Sequence, residues 1–358
     1  MNIKYIFLLV FYSLFAVNSF AQPKPVFLQM THDFGAIAED DGLARCKFAV
    51  VNEGTSPLSI LSARATCGCT TPEYSRKPIA PGDTSYITVA YDPVNRPGRF
   101  TKGIYVETNG NPSKTMLEIK GVVIGSEETV KRRYPEDFGP LKLSRNAFAL
   151  GEAIMGRMKT VYMEGYNRSS DSLSVGFKNV PPYLELVAAP KVAGPGELVT
   201  IIAYVTANKD TEYGVVEDTV TVIPSSGMEY ELPTLVVVKE DFSNMSPEKM
   251  EKAPVAVPST ERVELGKISH KSDPVFIKFQ LKNEGKSDLN IRRLYSVDKG
   301  VVAKAKDKVI KKEKSTDIVI IIDPKQQTGS LINSRLQIIT NDPVHPIHNV
   351  RIVGQWSD

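Results

Sequence analysis

Residues 48–60 are FAVVNEGTSPLSI, an apolar run that stops at an Asn-Glu-Gly turn. Asn and Gly tolerate left-handed backbone angles, and the polar residues after them can hydrogen-bond the turn. The stretch returns as FQLKNEGKSDLNI at residues 279–291. The sequence therefore contains a duplicated unit in which a strand ends in a defined turn.

This unit belongs to a longer repeat. In the first copy the flanking landmarks are HDFGAI (32–37), APGDTSYITVAYDP (80–93), GRFTKGIYVETN (98–109) and LEIKGVVI (117–124). In the other copy they are VELGKI (263–268), EKSTDIVIIIDP (313–324), GSLINSRLQIITND (329–342) and NVRIVGQW (349–356). In both copies 17 residues separate the landmark Gly from the landmark Asn, and a further 40 lead to Asp-Pro. The two intervals together indicate duplication.

A diverged middle copy lies between them and lacks the Asp-Pro. Its landmarks follow the same order, as FALGEA (148–153), VYMEGYNRSSDSLSV (161–175), GPGELVTIIAYV (194–205), YGVVEDTVTVI (213–223) and YELPTLVVV (230–238). Apolar residues alternate with period two in all copies, as in residues 86–91, which is typical of half-buried strands. We therefore predict an all-β protein of three tandem immunoglobulin-like antiparallel β-sandwich domains.

The predicted boundaries follow from where this alternation stops. They give a signal peptide at residues 1–21, a first domain at 22–124, a linker at 125–140, a second domain at 141–240, a linker at 241–259 and a third domain at 260–358. The second linker contains Pro247, Pro254 and Pro258. We expect it to be semi-extended.

The N-terminal residues have the pattern of a secretory signal. Lys4 precedes an apolar run, and Ser19 and Ala21 are the small residues before a cleavage point at Gln22. The run is shorter than the roughly 20 residues of a spanning helix, and no later stretch is apolar enough to span. We therefore expect an exported protein, periplasmic or at the cell surface, without a transmembrane segment in its mature form.

The net charge of +3 is unevenly distributed, with −5 on residues 125–257 and +6 on residues 258–358. This is not the profile of a nucleic-acid-binding protein. Residues 299–314 hold seven lysines, among them Lys304, Lys306, Lys308, Lys311, Lys312 and Lys314. Such lysines either protect an edge strand from pairing with other chains or attract an anionic surface, such as lipid phosphates or an acidic partner.

The landmarks of the first copy, including the run TCGCTTP at residues 66–72, resemble a family of uncharacterised exported bacterial proteins. That family's domain of unknown function carries a Cys-Gly-Cys-Thr signature and is similar to the hydin-type and major-sperm-protein-type immunoglobulin folds. The resemblance covers residues 26–124, and the third copy shares the scaffold without the cysteines. Because the family has no established activity, the resemblance implies fold and export rather than function.

Cys67 and Cys69 have three interpretations. They are local structural thiols, packed inward or bridged to each other in a strained and labile ring. Alternatively they form a redox site, or a soft-metal site for Cu(I) or Zn, for which His32 is the other candidate ligand in the domain. The sister copies lack both cysteines, so the fold does not require them. A thioredoxin-like Cys-x-x-Cys at a helix start is absent.

Cys46 shares a strand face with Phe48 and Val50, so it should point into the core as a free thiol. A bridge to Cys67 or Cys69 is the alternative.

Enzyme signatures are missing from the sequence, which has no nucleophile elbow, phosphate-binding glycine loop or His-Glu-x-x-His motif. His345 and His348 make only a weak metal pair in a turn. We therefore expect no enzymatic activity and no cofactor. The leading hypothesis is an exported scaffold or adaptor that binds a protein partner in the cell envelope through β-sandwich surfaces. The alternative is a thiol-redox or soft-metal-handling protein centred on Cys67 and Cys69.

Overall fold

The computed structural model describes residues 22–357. The predicted signal peptide lies outside the described residues. Six sheets form three β-sandwiches along the chain, which confirms the predicted fold class, including the diverged middle copy. Each sandwich encloses its own apolar core.

The first sandwich has eight strands. They are β1 (Pro25–Phe27), β2 (Thr31–Ala38), β3 (Ala44–Asn52), β4 (Ile60–Ala65), β5 (Thr70–Tyr74), β6 (Thr84–Tyr91), β7 (Gly98–Thr108) and β8 (Lys114–Ile124). One sheet has the order β1-β3-β6-β5 and the other β2-β8-β7-β4. A short 3-10 helix at Glu39–Asp41 follows β2.

The second sandwich has nine strands. They are β9 (Glu136–Phe138), β10 (Leu141–Leu143), β11 (Phe148–Ile154), β12 (Met158–Asn167), β13 (Val175–Lys178), β14 (Leu184–Ala189), β15 (Leu198–Thr206), β16 (Gly214–Pro224) and β17 (Tyr230–Lys239). Its sheets have the orders β14-β15-β12-β10-β9 and β11-β17-β16-β13.

The third sandwich also has nine strands. They are β18 (Ala256–Pro258), β19 (Arg262–Ser269), β20 (Val275–Asn283), β21 (Leu289–Tyr295), β22 (Val301–Ala305), β23 (Val309–Ile310), β24 (Ser315–Ile322), β25 (Leu331–Thr340) and β26 (Ile347–Ser357). The sheets are β18-β20-β24-β22 and β19-β26-β25-β21-β23. A 3-10 helix at Pro324–Gln326 follows β24.

In each sandwich the strand that carries the landmark glycine, which we call the entry strand, pairs in parallel with the last strand. These pairs are β2 with β8, β11 with β17, and β19 with β26. The register shifts once in each pair, at Gly35, Gly151 and Gly266, whose φ angles are 65°, 70° and 66°. Residues with a side chain rarely adopt this left-handed conformation. The repeated glycine landmark therefore marks a bulge in the entry strand.

The repeated asparagine has a different role from the one expected. Asn52, Asn167 and Asn283 are fully buried, and none is among the described residues with positive φ. The Asn283 amide donates to the carbonyls of Ser287 (2.8 Å) and Ile310 (2.9 Å), and its Oδ1 accepts from the Gly285 N–H (3.0 Å). The side chain, and not a left-handed backbone, fixes the turn.

Both predicted linkers contain regular structure. Residues 125–140 include helix α1 (Glu127–Arg133) and β9, which belongs to the second sandwich. Residues 241–259 include helix α2 (Pro247–Glu251) and β18, which belongs to the third, so the segment is not simply semi-extended. Both helices are two turns or shorter, and such elements leave little periodicity in a sequence.

Candidate functional site

The Cys-Gly-Cys loop connects β4 to β5 and so crosses from one sheet of the first sandwich to the other. Cys67 and Cys69 are joined by a disulfide. The loop is anchored on both sides, because the Thr66 N–H donates to the Gly103 carbonyl (3.0 Å) and the Cys69 carbonyl accepts from the Asp92 N–H (2.9 Å). The structure thus shows the bridged form of this loop.

Thr70, the last residue of the Cys-Gly-Cys-Thr run, lies against both sulfurs. Its buried hydroxyl is 3.5 Å from the Cys67 Sγ and 3.8 Å from the Cys69 Sγ. Cys69 is buried, whereas Cys67 is partly exposed. An incoming group therefore has access to the bridge from the Cys67 side, with a hydroxyl donor behind it.

Cys46 remains a free thiol in the core of the first sandwich. Burial raises the pKa of this thiol to about 11, so it is protonated at neutral pH and a poor nucleophile. Inward orientation was predicted from its shared face with Phe48, and the structure bears this out. The alternative bridge to Cys67 or Cys69 does not form.

The structure brings no metal ligands to the cysteine loop. Among the described residues, no three His, Cys, Asp or Glu side chains are grouped so that they could hold a metal ion. With their sulfurs bonded to each other, Cys67 and Cys69 offer no thiolate in this state. His32 packs edge-on against Phe34 instead (4.6 Å between ring centroids).

Apart from Lys299, the lysines of the basic stretch (residues 299–314) form two groups. Lys304 and Lys306 lie on β22 and just beyond it, at the open edge of the sheet β18-β20-β24-β22. The other four occupy the turns around β23 and before β24, where Lys311 pairs with Asp288 (2.6 Å) and Lys312 with Glu313 (3.5 Å). All six are exposed: Lys304, Lys306, Lys308, Lys311, Lys312 and Lys314.

Apolar side chains that the sequence prediction missed lie beside the first group. Phe276 and Val302 are 68% and 55% exposed, and both are directly opposite Ile321 in the register of β24. In the next row Lys278 and Lys304 flank Val319 in the same way. We call this surface the basic face, defined by Phe276, Lys278, Val302, Lys304, Lys306, Val319 and Ile321. In the sequence, the period-two spacing of Phe276 and Lys278 indicates that both side chains lie on the same face of one strand.

The first and second sandwiches meet at a buried carboxylate. Glu39 accepts hydrogen bonds from the N–H groups of Asn95 (2.8 Å) and Ser126 (2.9 Å) and from the Thr129 hydroxyl (2.7 Å). Burial alone would raise the pKa of the Glu39 carboxyl, but the bonds from Asn95, Ser126 and Thr129 outweigh this effect and hold the pKa below its ordinary range. Beside it, a small apolar cluster joins α1 to the second sandwich, comprising Val130, Tyr134, Tyr166 and Leu198.

The second and third sandwiches meet through two arginines. Arg292 makes a bidentate pair with Glu240 (2.9 and 2.6 Å). Arg293 donates to the carbonyls of Tyr213 (3.1 Å) and Val215 (2.5 Å). The basic third domain thus contacts the acidic second one through these arginines, and the exposed lysines take no part in that contact.

None of the helices in residues 22–357 is long and apolar enough to cross a membrane.

Comparisons with solved structures show distant likeness. A protein of unknown function from Porphyromonas gingivalis W83 is 16% identical, with a TM-score of 0.47 over 61% of this chain and 100% of that one. An endo-fucoidan hydrolase of glycoside hydrolase family 107 is 12% identical, with a TM-score of 0.28, and matches 94% of this chain but 44% of its own. The cadherin domains of protocadherin gamma B7 are 9% identical, with a TM-score of 0.24 over 94% of this chain and 76% of that one.

No curated protein matches the sequence. The model of a protein family of unknown function, DUF1573, matches residues 26–123 and again residues 257–355. These two matches coincide with the first and third sandwiches and together cover more than half of the chain. The protein therefore belongs to the DUF1573 family, in which it carries two tandem copies of the family domain.

Proposed function

We propose that the protein is an exported, non-enzymatic scaffold that holds an acidic protein partner in the cell envelope. The observation that carries this proposal is the basic face, where Phe276 is 68% exposed among three exposed lysines. Of these lysines, Lys278 pairs with Asp317 (2.8 Å). An exposed aromatic side chain rimmed by charged residues is typical of protein-binding surfaces. The lysines would attract the partner, and Phe276 would provide apolar contact.

The two junctions support a scaffold. Each combines buried or partly buried charges with hydrogen bonds across the boundary, so the three sandwiches keep a fixed spacing. A rigid array of this kind presents surfaces at set distances from one another. Export belongs to the same proposal, and sequencing the N-terminus of the protein from a fractionated envelope should find Gln22 first.

The test is a crosslinking experiment with the mature chain in its own envelope. A photoreactive residue at Gln280, exposed beside the basic face, should capture a defined partner. The double substitution Phe276→Ser and Lys304→Glu should abolish the captured band. The control is the double substitution Tyr162→Ser and Lys47→Glu, in which Tyr162 has an exposure (65%) similar to that of Phe276. This control should leave the captured band unchanged. Equal capture by both double variants would refute the use of this face.

The disulfide loop supports a second candidate function, thiol–disulfide exchange. A partner thiolate would attack the Cys67 Sγ and break the bond to Cys69, which leaves as a thiolate beside the Thr70 hydroxyl. A second partner thiolate would then attack the mixed disulfide and release Cys67. The partner gains a disulfide, and the Cys67–Cys69 pair gains two electrons.

Thiol titration of the mature protein tests this candidate. The native oxidised protein should show no reactive thiol, denaturation should expose Cys46 alone, and reduction should expose all three. The oxidised protein should also oxidise a dithiol peptide, and Cys67→Ser with Cys69→Ser should not. A metal analysis of the reduced protein examines the soft-metal alternative in the same samples. We also propose that the Cys-Gly-Cys-Thr run is a signature of the family and that the sandwiches are of the hydin type. Neither feature implies an activity by itself.

A further inference from the structure

A cavity of about 460 Å³ lies where the second sandwich meets the third. Its lining includes Val215 from β16 and, from the third sandwich, Tyr295, Asp298, Asn333, Arg335 and Arg351. It is distinct from the basic face, which lies on the other sheet of the third sandwich. Cavities of this size are typical of small-ligand sites.

The two arginines of the lining are direct cross-strand partners. Arg335 on β25 is opposite Arg351 on β26, and Arg351 is opposite Arg262 on β19. Side chains directly opposite in a sheet have Cβ atoms only about 5 Å apart, and like charges there are destabilising. Three arginines therefore occupy one row of the sheet at a cost in stability.

The charges of this row are only partly balanced. Arg262 pairs with Glu264 (2.9 Å), outside the cavity lining. The Arg351 Nε donates to the Asn333 Oδ1 (3.1 Å), a neutral acceptor that orients the guanidinium. Within residues 22–357, Arg335 forms no ion pair or side-chain hydrogen bond. Two guanidinium groups thus face one cavity without a carboxylate bound to either.

A guanidinium offers a planar fork of N–H donors that matches a carboxylate, phosphate or sulfate group. An oxyanion placed between Arg335 and Arg351 would replace their repulsion with two charge-assisted contacts. Val215 and Tyr295 supply apolar surface beside this position. Asp298, also in the lining, repels a second anionic group and favours a hydroxyl or amine on the ligand.

We propose that this cavity is a binding site for a small organic molecule with a single oxyanion group, which lies between Arg335 and Arg351, and with a hydroxyl-bearing ring that rests against Val215 and Tyr295. Sugar acids and sugar phosphates have this chemistry in common. The proposal goes beyond the scaffold function, because the site takes a small molecule and uses none of the residues of the basic face.

Calorimetric titration of the intact mature chain distinguishes the sources of the oxyanion. The probes are glucuronate, glucose 6-phosphate, inorganic phosphate and inorganic sulfate, with neutral glucose as the control. We expect glucuronate or glucose 6-phosphate to bind, inorganic anions to bind more weakly, and glucose not to bind. Arg335→Gln should weaken binding roughly tenfold or more, whereas Arg145→Gln, at an exposed arginine of the second sandwich, should not change it.

Thermal unfolding of the same variants provides a second readout. Because Arg335→Gln removes one of two opposed charges, it should raise the Tm of the ligand-free protein and remove the further rise that ligand gives to the wild type. Absence of binding by all four anions would overturn the proposal. Binding that Arg335→Gln leaves intact would also overturn it, since the anion would then occupy another place.

Discussion

At the scale of single residues, the buried asparagine makes the same contacts in each sandwich. In the second sandwich the Asn167 amide donates to the carbonyls of Asp171 (2.8 Å) and Ala193 (3.1 Å). Asn167→Ala would remove these two bonds together with those to the Gly194 carbonyl (3.0 Å) and from the Ser169 N–H (3.0 Å), and we expect the free energy of unfolding to fall by about 3 kcal/mol. Urea denaturation measures this.

The matched control is Asn146→Ala, at an exposed asparagine of the same sandwich. It should change the unfolding free energy by less than about 0.5 kcal/mol. Equal effects of the two substitutions would show that the side-chain amide does not fasten the turn.

The disulfide should matter far less to stability than this amide. Cys67 and Cys69 are two positions apart, so their bridge closes a very short loop. By restricting the unfolded chain, such a bridge adds about 2 kcal/mol or less to the free energy of unfolding. The corresponding connections of the sister sandwiches, β13 to β14 and β21 to β22, have no cysteine. We therefore expect Cys67→Ser with Cys69→Ser to lower the Tm by a few degrees and leave the circular dichroism spectrum unchanged. Loss of the folded first sandwich would instead identify the bridge as a structural requirement.

At the scale of elements, α1 depends on a carboxylate from another domain. Because hydrogen bonds hold the pKa of Glu39 below its ordinary range in the folded protein, its contribution to stability is complete above the pKa of the unfolded chain and is lost as the pH falls through the folded-state pKa. We expect the contact between the first two sandwiches to loosen in acid, at a pH below the ordinary pKa of a glutamate. Limited proteolysis at residues 125–140 across a pH series would detect it.

Glu39→Gln should produce the same protease sensitivity at neutral pH. Glu128→Gln, at an exposed carboxyl of α1, serves as the control and should remain resistant. Resistance of Glu39→Gln at every pH would mean that the apolar cluster around Tyr134 holds the junction alone.

The lysines of the edge strand β22 should act through a screened field. With a Debye length of about 8 Å at physiological salt, we expect the mature protein to bind anionic vesicles at low salt and to release them as salt rises. Lys304→Gln with Lys306→Gln should weaken this binding more than Lys311→Gln with Lys312→Gln, because Lys311 and Lys312 already have carboxylate neighbours. Vesicle co-sedimentation measures both. Binding unaffected by either pair would leave the lysines only a protective role at the edge.

At the scale of the whole molecule, the sequence predicted what repeats and missed what occurs once. The sandwiches, the inward Cys46 and the edge position of Lys304 follow from periodicity and copy alignment. The junctions could not be predicted this way, because Glu39 and Thr129 are 90 residues apart and neither has a repeated counterpart. The row of arginines needed the strand register, which the sequence alone does not supply.

The second junction governs the shape of the molecule. Arg293→Ala removes the hydrogen bonds to the carbonyls of Tyr213 and Val215 and the ion pair with Glu212. We expect the radius of gyration from small-angle X-ray scattering to increase as the third sandwich gains freedom. Arg145→Ala should leave it unchanged. An unaltered radius of gyration in Arg293→Ala would mean that the pair of Arg292 and Glu240 holds the junction without Arg293.

The parallel pairing of entry and last strands also determines how the chain responds to pulling. When the two ends of the first sandwich are drawn apart, the short strand β1 bears the load first and detaches from β3. After that, β2 is pulled back along its axis while β8 is pulled forward along the same direction. All hydrogen bonds between Thr31–Ala38 and residues 118–124 are then loaded together in shear, and they cannot open one at a time. With the same arrangement in β11 and β17 and in β19 and β26, the chain is three shear clamps in series, suited to bearing tension between two points of attachment.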